Sequence, residues 1–226
     1  IDFGAGYMEK SVLDSQTAEN TLYMYSGELT HSTNASVGLF YNKALVSSAY
    51  GDPVKLTKEG AFTWSALTSM VHAVAENGAR GIDSLLGDTE LAVAVYGSSG
   101  DSIVSAGGGK EAQLQYNAET AENTASIING LFKNAAYSPN YDENLAVNAF
   151  KTGKLGFILA PMGSVSLFDG SSSEWGLLPL PKHSAEQSEY SSFIGANALA
   201  IGVPRGCKDS AFSGFALNAL FAASAN

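Results

Sequence analysis

Val37-Gly38-Leu39-Phe40-Tyr41 runs without a charge or any apolar–polar alternation, and the chain then turns polar at Asn42-Lys43. A strand with one wet face alternates, so an unbroken run calls for burial on both faces. That requires layers above and below the strand, which points to an α/β protein. Asn42 is a natural N-cap for a short helix through Lys43-Ala44-Leu45-Val46. Such a strand is either an ordinary core strand or a crossing between two lobes, and the run by itself leaves both open.

The rest of the chain supports layers of this kind. Thr63 can cap a helix that places Leu67, Met70, Val71 and Val74 on one face, with Trp64 in the core and Asn77-Gly78 as the stop. Further helices are expected over Asp88 to Tyr96 and from Asn117 or Thr120, the latter turning Ile127, Ile128, Leu131 and Phe132 inward. Another begins at Asp142-Glu143-Asn144, with Leu145, Val147 and Phe150 inward and Gly153 ending it. The last follows Asp209, with Phe212, Phe215, Ala216, Leu220 and Phe221 on its apolar side. Strands are expected at Thr21 to Tyr25, Leu155 to Leu159, Trp175 to Pro179 and Ala198 to Val203. Pro53 to Thr57 reads as an extended linker, and Met8 to Ser15 as a short helix. Strands interleaved with helices give an α/β fold with a mixed or mostly parallel sheet.

Composition narrows the function. The 226 residues carry a formal net charge of −10 with only 15% charged residues. Nucleic acid and anionic membrane surfaces both need Lys and Arg clusters, which are missing here. Cys207 is the single cysteine, so neither an intrachain disulfide nor a cysteine zinc site is available. No apolar run is long enough to span a bilayer.

No catalytic constellation emerges. His31, His72 and His183 lack ligand-like spacing, and the hydrolase elbow, metalloprotease and phosphate-loop motifs are absent. Gly107-Gly108-Gly109-Lys110 lacks the hydroxyl residue and the strand–loop–helix frame of a phosphate cradle and reads as a loop. Asp88 with Glu90, and Asp142 with Glu143, are explained by the preference of helix starts for acidic side chains. No metal or cofactor is implied.

Four patches occur in one order along the chain: Leu39-Phe40-Tyr41-Asn42-Lys43-Ala44-Leu45; Phe62-Thr63-Trp64-Ser65-Ala66-Leu67; Ala149-Phe150-Lys151-Thr152-Gly153-Lys154-Leu155-Gly156-Phe157; and Gly176-Leu177-Leu178-Pro179-Leu180-Pro181, followed by Gly195 to Ile201. In that order they resemble bacterial extracellular solute-binding proteins of ABC importers, the family that includes maltose-binding protein. The resemblance covers about Leu22 to Leu220. It implies a periplasmic-binding-protein-like (type II) architecture, with two α/β lobes joined by crossing strands and the solute held between them. Residues 1–36 would belong to a partial first lobe, 37–176 to the second, and 177–226 to the return. Family members are longer at both ends, so the chain is expected to be an internal portion.

The resemblance also implies a function without catalysis: capture of a small solute, carbohydrate by default, for ABC permease subunits. The protein would be a monomer, extracellular and anchored through a lipidated N-terminus upstream of this chain, or periplasmic. Cleft candidates are Ser32, Thr33, Asn34 and Tyr41 at the hinge, Asp88 and Glu90 at a helix start, Met162, Gly163 and Ser164 after a strand, and Phe193 and Asn197 opposite. One departure bears on the ligand. The family's sugar binders often carry Gly-Pro-Trp where this chain has Pro161-Met162-Gly163, so the stacking indole is missing, although Ser164 and Ser166 supply hydroxyls. The alternatives are an envelope scaffold or adhesion domain without ligand, and a cell-envelope glycosidase using Asp88 with Glu90 or Asp142.

Overall fold

The apolar run forms strand β1 (Val37–Asn42), in which every residue is buried. The computed structural model describes residues 13, 16–18, 21–26, 28–105, 113–132, 143–195 and 198–224. The strands β2 (Arg80–Ser84), β3 (Leu155–Pro161) and β4 (Trp175–Leu178) complete a four-stranded mixed sheet of order β2-β3-β1-β4. β1 runs antiparallel to β3 and β4, with Val37 opposite Pro161 at one end and Asn42 opposite Trp175 at the other. β2 runs parallel to β3, with Ser84 opposite Leu159.

Burial on both faces follows from two packed layers. On one side, Val37, Leu39, Tyr41, Phe157 and Leu159 meet α1 (Lys43–Ala49), α3 (Trp64–Glu76), α4 (Asp88–Gly97) and α5 (Ala118–Phe132) through Val46, Leu67, Val95 and Leu131. On the other side, Phe40, Ile158 and Ala160 meet Phe150 of α6 (Glu143–Lys151), together with Phe168. The expected face of α3 is the buried one: Trp64, Leu67, Met70, Val71 and Val74 are each no more than 1% exposed. Its N-cap is Thr63, whose Oγ1 accepts from the Ala66 N–H at 3.3 Å. Asn42 caps α1 in the same way, accepting from the Leu45 N–H at 3.2 Å. Gly78 and Gly153, at φ +83° and +68°, take the left-handed conformation that ends a helix.

The chain divides into two compact units. The main unit is Ser36–Asp101 with Asn117–Gly195, and the other is Ile1–Ala35, Ser102–Tyr116 and Ala196–Asn226. The domain boundary expected between residues 176 and 177 falls inside β4. The second unit holds short ribbons (Thr17–Ala18 with Thr21–Leu22, and Val104–Ser105 with Gln113–Leu114), 3-10 turns and the helix α7 (Ser210–Ser224). Its small core is the edge-on pair Tyr25 and Phe221, with centroids 5.1 Å apart.

Several expectations need correction. Pro53 to Thr57 is not extended: Asp52 caps a helix, α2 (Pro53–Lys58), with Pro53 in its first turn, where the missing N–H costs nothing. Ala198 to Val203 is no strand; it supplies only an isolated bridge, Ile201 to Tyr25. Leu145 faces outward at 58% exposed, and Phe212, Phe215 and Leu220 of α7 are more than half exposed. The strand at Arg80–Ser84 was not anticipated. Gly107 to Lys110, Asp142 and nearly all of Met8 to Ser15 lie outside the described residues.

Candidate functional site

The main unit gathers its chain crossings on one side. The chain enters at Ser36, leaves after Asp101, re-enters at Asn117 and leaves after Gly195. At the first residues of β1, the Val37 N–H donates to the Phe193 carbonyl at 2.8 Å, and Ser36 bridges Ile194. The Met162 N–H donates to the Ser36 carbonyl at 2.8 Å, which ties in the end of β3. The segment before Phe193 lies along the end of α4: a Cβ on Gly97 would stand 3.9 Å from the Phe193 Cβ, and one on Gly100 would stand 3.4 Å from the Ser191 Oγ. Asp101 and Asn117 then meet directly, the Asn117 Nδ2 donating to the Asp101 Oδ2 at 3.0 Å. The Thr120 Oγ1 donates to the same carboxylate oxygen at 2.5 Å. The Asn117 N–H donates to the Tyr96 hydroxyl at 2.9 Å.

This side is also the carboxyl end of the parallel pair β2 and β3, where open α/β sheets place their ligands. The Leu85 N–H donates to the Leu159 carbonyl at 2.8 Å, so the connection from β2 into α4 starts at this end of the sheet. Asp88 and Glu90 stand in the first turn of α4. Met162, Gly163 and Ser164 open a 3-10 turn (Met162–Phe168) directly after β3. Met162 is 37% exposed and Ile194 50%, whereas Phe193 is half-buried against the main core. The structure therefore brings Met162 to Ser164 and Phe193 together around Ser36.

No protein-family model matches the chain, and no curated protein matches it.

The other candidate residues are placed differently. Tyr41 lies toward the far end of β1, buried against Gly176, and burial pushes its phenol up, with the Asp52 carboxylate adding to the shift. Ser32, Thr33 and Asn34 form a 3-10 turn (Ser32–Ala35) in the second unit, where the Asn34 N–H donates to the His31 carbonyl at 2.9 Å. Asn197 lies outside the described residues. Asp88 and Glu90 are two residues apart in one helical turn, so they do not face each other. Among the described residues no His, Cys, Asp and Glu come together as a metal-binding group, and no helix is long and apolar enough to cross a membrane.

Sequence reasoning missed Ser36, Ile194 and Asp101. Ser36 and Asp101 adjoin the chain crossings, but each is a small polar residue in ordinary polar surroundings, and only the pairing of distant segments reveals it. Asp83, also unremarked, is buried at the edge of the sheet. Burial raises its carboxyl above the ordinary range, opposed by the Ser84 N–H and by the Arg80 guanidinium bonded to it.

Proposed function

We propose that this chain is the extracellular solute-binding component of an ABC importer, with the type II periplasmic-binding-protein architecture. In this reading it captures a small solute, carbohydrate by default, on the crossing side of the main unit and delivers it to permease subunits. The observation that carries the reading is the gathering of all four chain crossings of the main unit on that one side. A hinge needs its connections close together, because connections at opposite ends would lock two bodies in place. The position of this side at the carboxyl end of parallel strands supports it further. Met162, Gly163 and Ser164, half-exposed beside Ser36, would supply an apolar wall and a hydroxyl.

The scaffold reading keeps one specific support: Pro161-Met162-Gly163 stands where the resembling sugar binders carry Gly-Pro-Trp, so Gly163 takes the place of the stacking indole. A thermal-shift screen of sugars, oligosaccharides, amino acids and short peptides separates the two, since a ligand that binds only the native state raises the melting temperature. A shift that disappears in Met162→Asp supports capture on the crossing side. Silence across the whole panel favours the scaffold.

A further inference from the structure

At the opposite end of the sheet, the chain between the 3-10 turn and β4 forms an open bowl of about 440 Å³, lined by Lys43, Phe168, Asp169, Glu174, Trp175 and the serines between them. Asn42 pairs with Trp175 there, whereas Val37 and Pro161 mark the crossing side. The length of β1 puts the two ends about 17 Å apart. The volume lies within the range of about 300–1,000 Å³ that is usual for small-molecule sites.

One wall of the bowl is the half-buried Trp175 indole, backed by the buried rings of Phe40 and Phe168. The Trp175 indole is held edge-on against Phe40 and Phe168, at centroid distances of 5.7 and 5.9 Å. The rim is rich in acceptors. Ser171 and Ser172 already donate their hydroxyl protons, to the Phe168 carbonyl at 2.5 Å and the Lys151 carbonyl at 2.9 Å, so they present lone pairs. Glu174 is engaged by Lys43 at 3.4 Å, whereas Asp169, exposed on the rim, enters no salt bridge among the described residues. Carboxylate and hydroxyl acceptors beside an indole, on a chain of net charge −10, suit a ligand that brings positive charge and N–H donors.

We propose that this bowl is a second small-molecule site, for an organic cation with a primary alkylammonium head. The ammonium pairs with Asp169 and lies against Trp175, and Lys43 opposes it by occupying Glu174 and repelling like charge. The site stands apart from solute capture on the crossing side and does not depend on it.

The test is titration with 1,4-diaminobutane, followed by calorimetry and by Trp fluorescence, with 1,4-butanediol as the neutral counterpart. Trp64 is 1% exposed, so a fluorescence response reports Trp175. The expected results are saturable diamine binding that weakens with salt, and no response to the diol. Asp169→Asn weakens binding about tenfold, the scale of one charge-assisted hydrogen bond, and Lys43→Met tightens it. Asp169 meets its neighbours through its backbone N–H to the Ser166 carbonyl, so the Asn variant keeps the fold, which circular dichroism checks. Absence of saturable binding, an equal response to the diol, or unchanged affinity in Asp169→Asn would each overturn the proposal.

Discussion

Gly156→Ala tests how tightly α3 is seated on the sheet. A Cβ at Gly156, in β3, would lie 2.9 Å from the Val74 Cγ1 and 3.0 Å from the Gly81 carbonyl oxygen. Neither obstacle yields cheaply. Val74 is 1% exposed and wedged in the main core, and Gly81 is backbone of the adjacent strand β2, itself paired with β3. Overpacking of this kind costs about 1–3 kcal/mol, offset by about 0.4–1 kcal/mol from the stiffer unfolded chain. The net expectation is a loss of about 1.3 kcal/mol, or about 3–5 °C in melting temperature for a chain of this size. Gly130→Ala is the matched control. It lies within α5, nothing stands within 4 Å of its built Cβ, and the helix gains from the change. A gain of up to about 1 kcal/mol is expected there. Thermal and urea denaturation of both variants read the comparison. A Gly156→Ala protein as stable as the parent would refute the claim that the backbone of β3 is confined by its neighbours.

Two further predictions concern buried polar groups. Because the folded state raises the Asp83 carboxyl above its unfolded value, the native protein binds that proton more tightly. Its stabilising effect is therefore complete below the ordinary carboxylate range and is lost as pH rises from there through the raised value. Melting temperatures measured against pH should decline across that window, and Asp83→Asn should flatten the decline; an unchanged slope would show that Asp83 is not its source. Trp64→Phe removes the Nε1 donation to the Ser98 Oγ at 2.9 Å in a fully buried site. Losing the bond costs about 1 kcal/mol, and the vacated half of the indole adds about 1–2 kcal/mol; equilibrium unfolding that detects no loss would refute it.

Much of the main unit was legible in the sequence because its signals are local. Val37 to Tyr41 announced a strand covered on both faces, and Leu67, Met70, Val71 and Val74 traced the buried stripe of α3. Asn42 and Thr63 declared caps that the structure uses. The failures are also instructive. In Asp52-Pro53 the proline reads equally as a breaker and as a first-turn residue, and only the Asp52 cap, which bonds the Val54 N–H at 2.9 Å, decides between them. Arg80-Gly81-Ile82-Asp83-Ser84 hides a strand because Arg80 and Asp83 neutralise each other within it, which breaks the apolar pattern. Ala198 to Val203 has strand composition but finds only the partner at Tyr25, and composition cannot supply a neighbour. Of the candidate site, Met162 to Ser164 and Phe193 were legible from motif order. Their meeting around Ser36 was not, since it depends on pairings between residues far apart in sequence.

The Asp101–Asn117 contact makes the segment between them topologically separable from the main unit. The excursion from Ser102 to Tyr116 leaves and returns through residues whose side chains already touch, with Thr120 and Tyr96 fastening the return. A loop closed at its neck places almost no demand on its own length, because closure entropy grows only with the logarithm of residue number. That neck is therefore a natural place for insertions and deletions. A change in the length or composition of the excursion is expected to leave the sheet and helices of the main unit as they are.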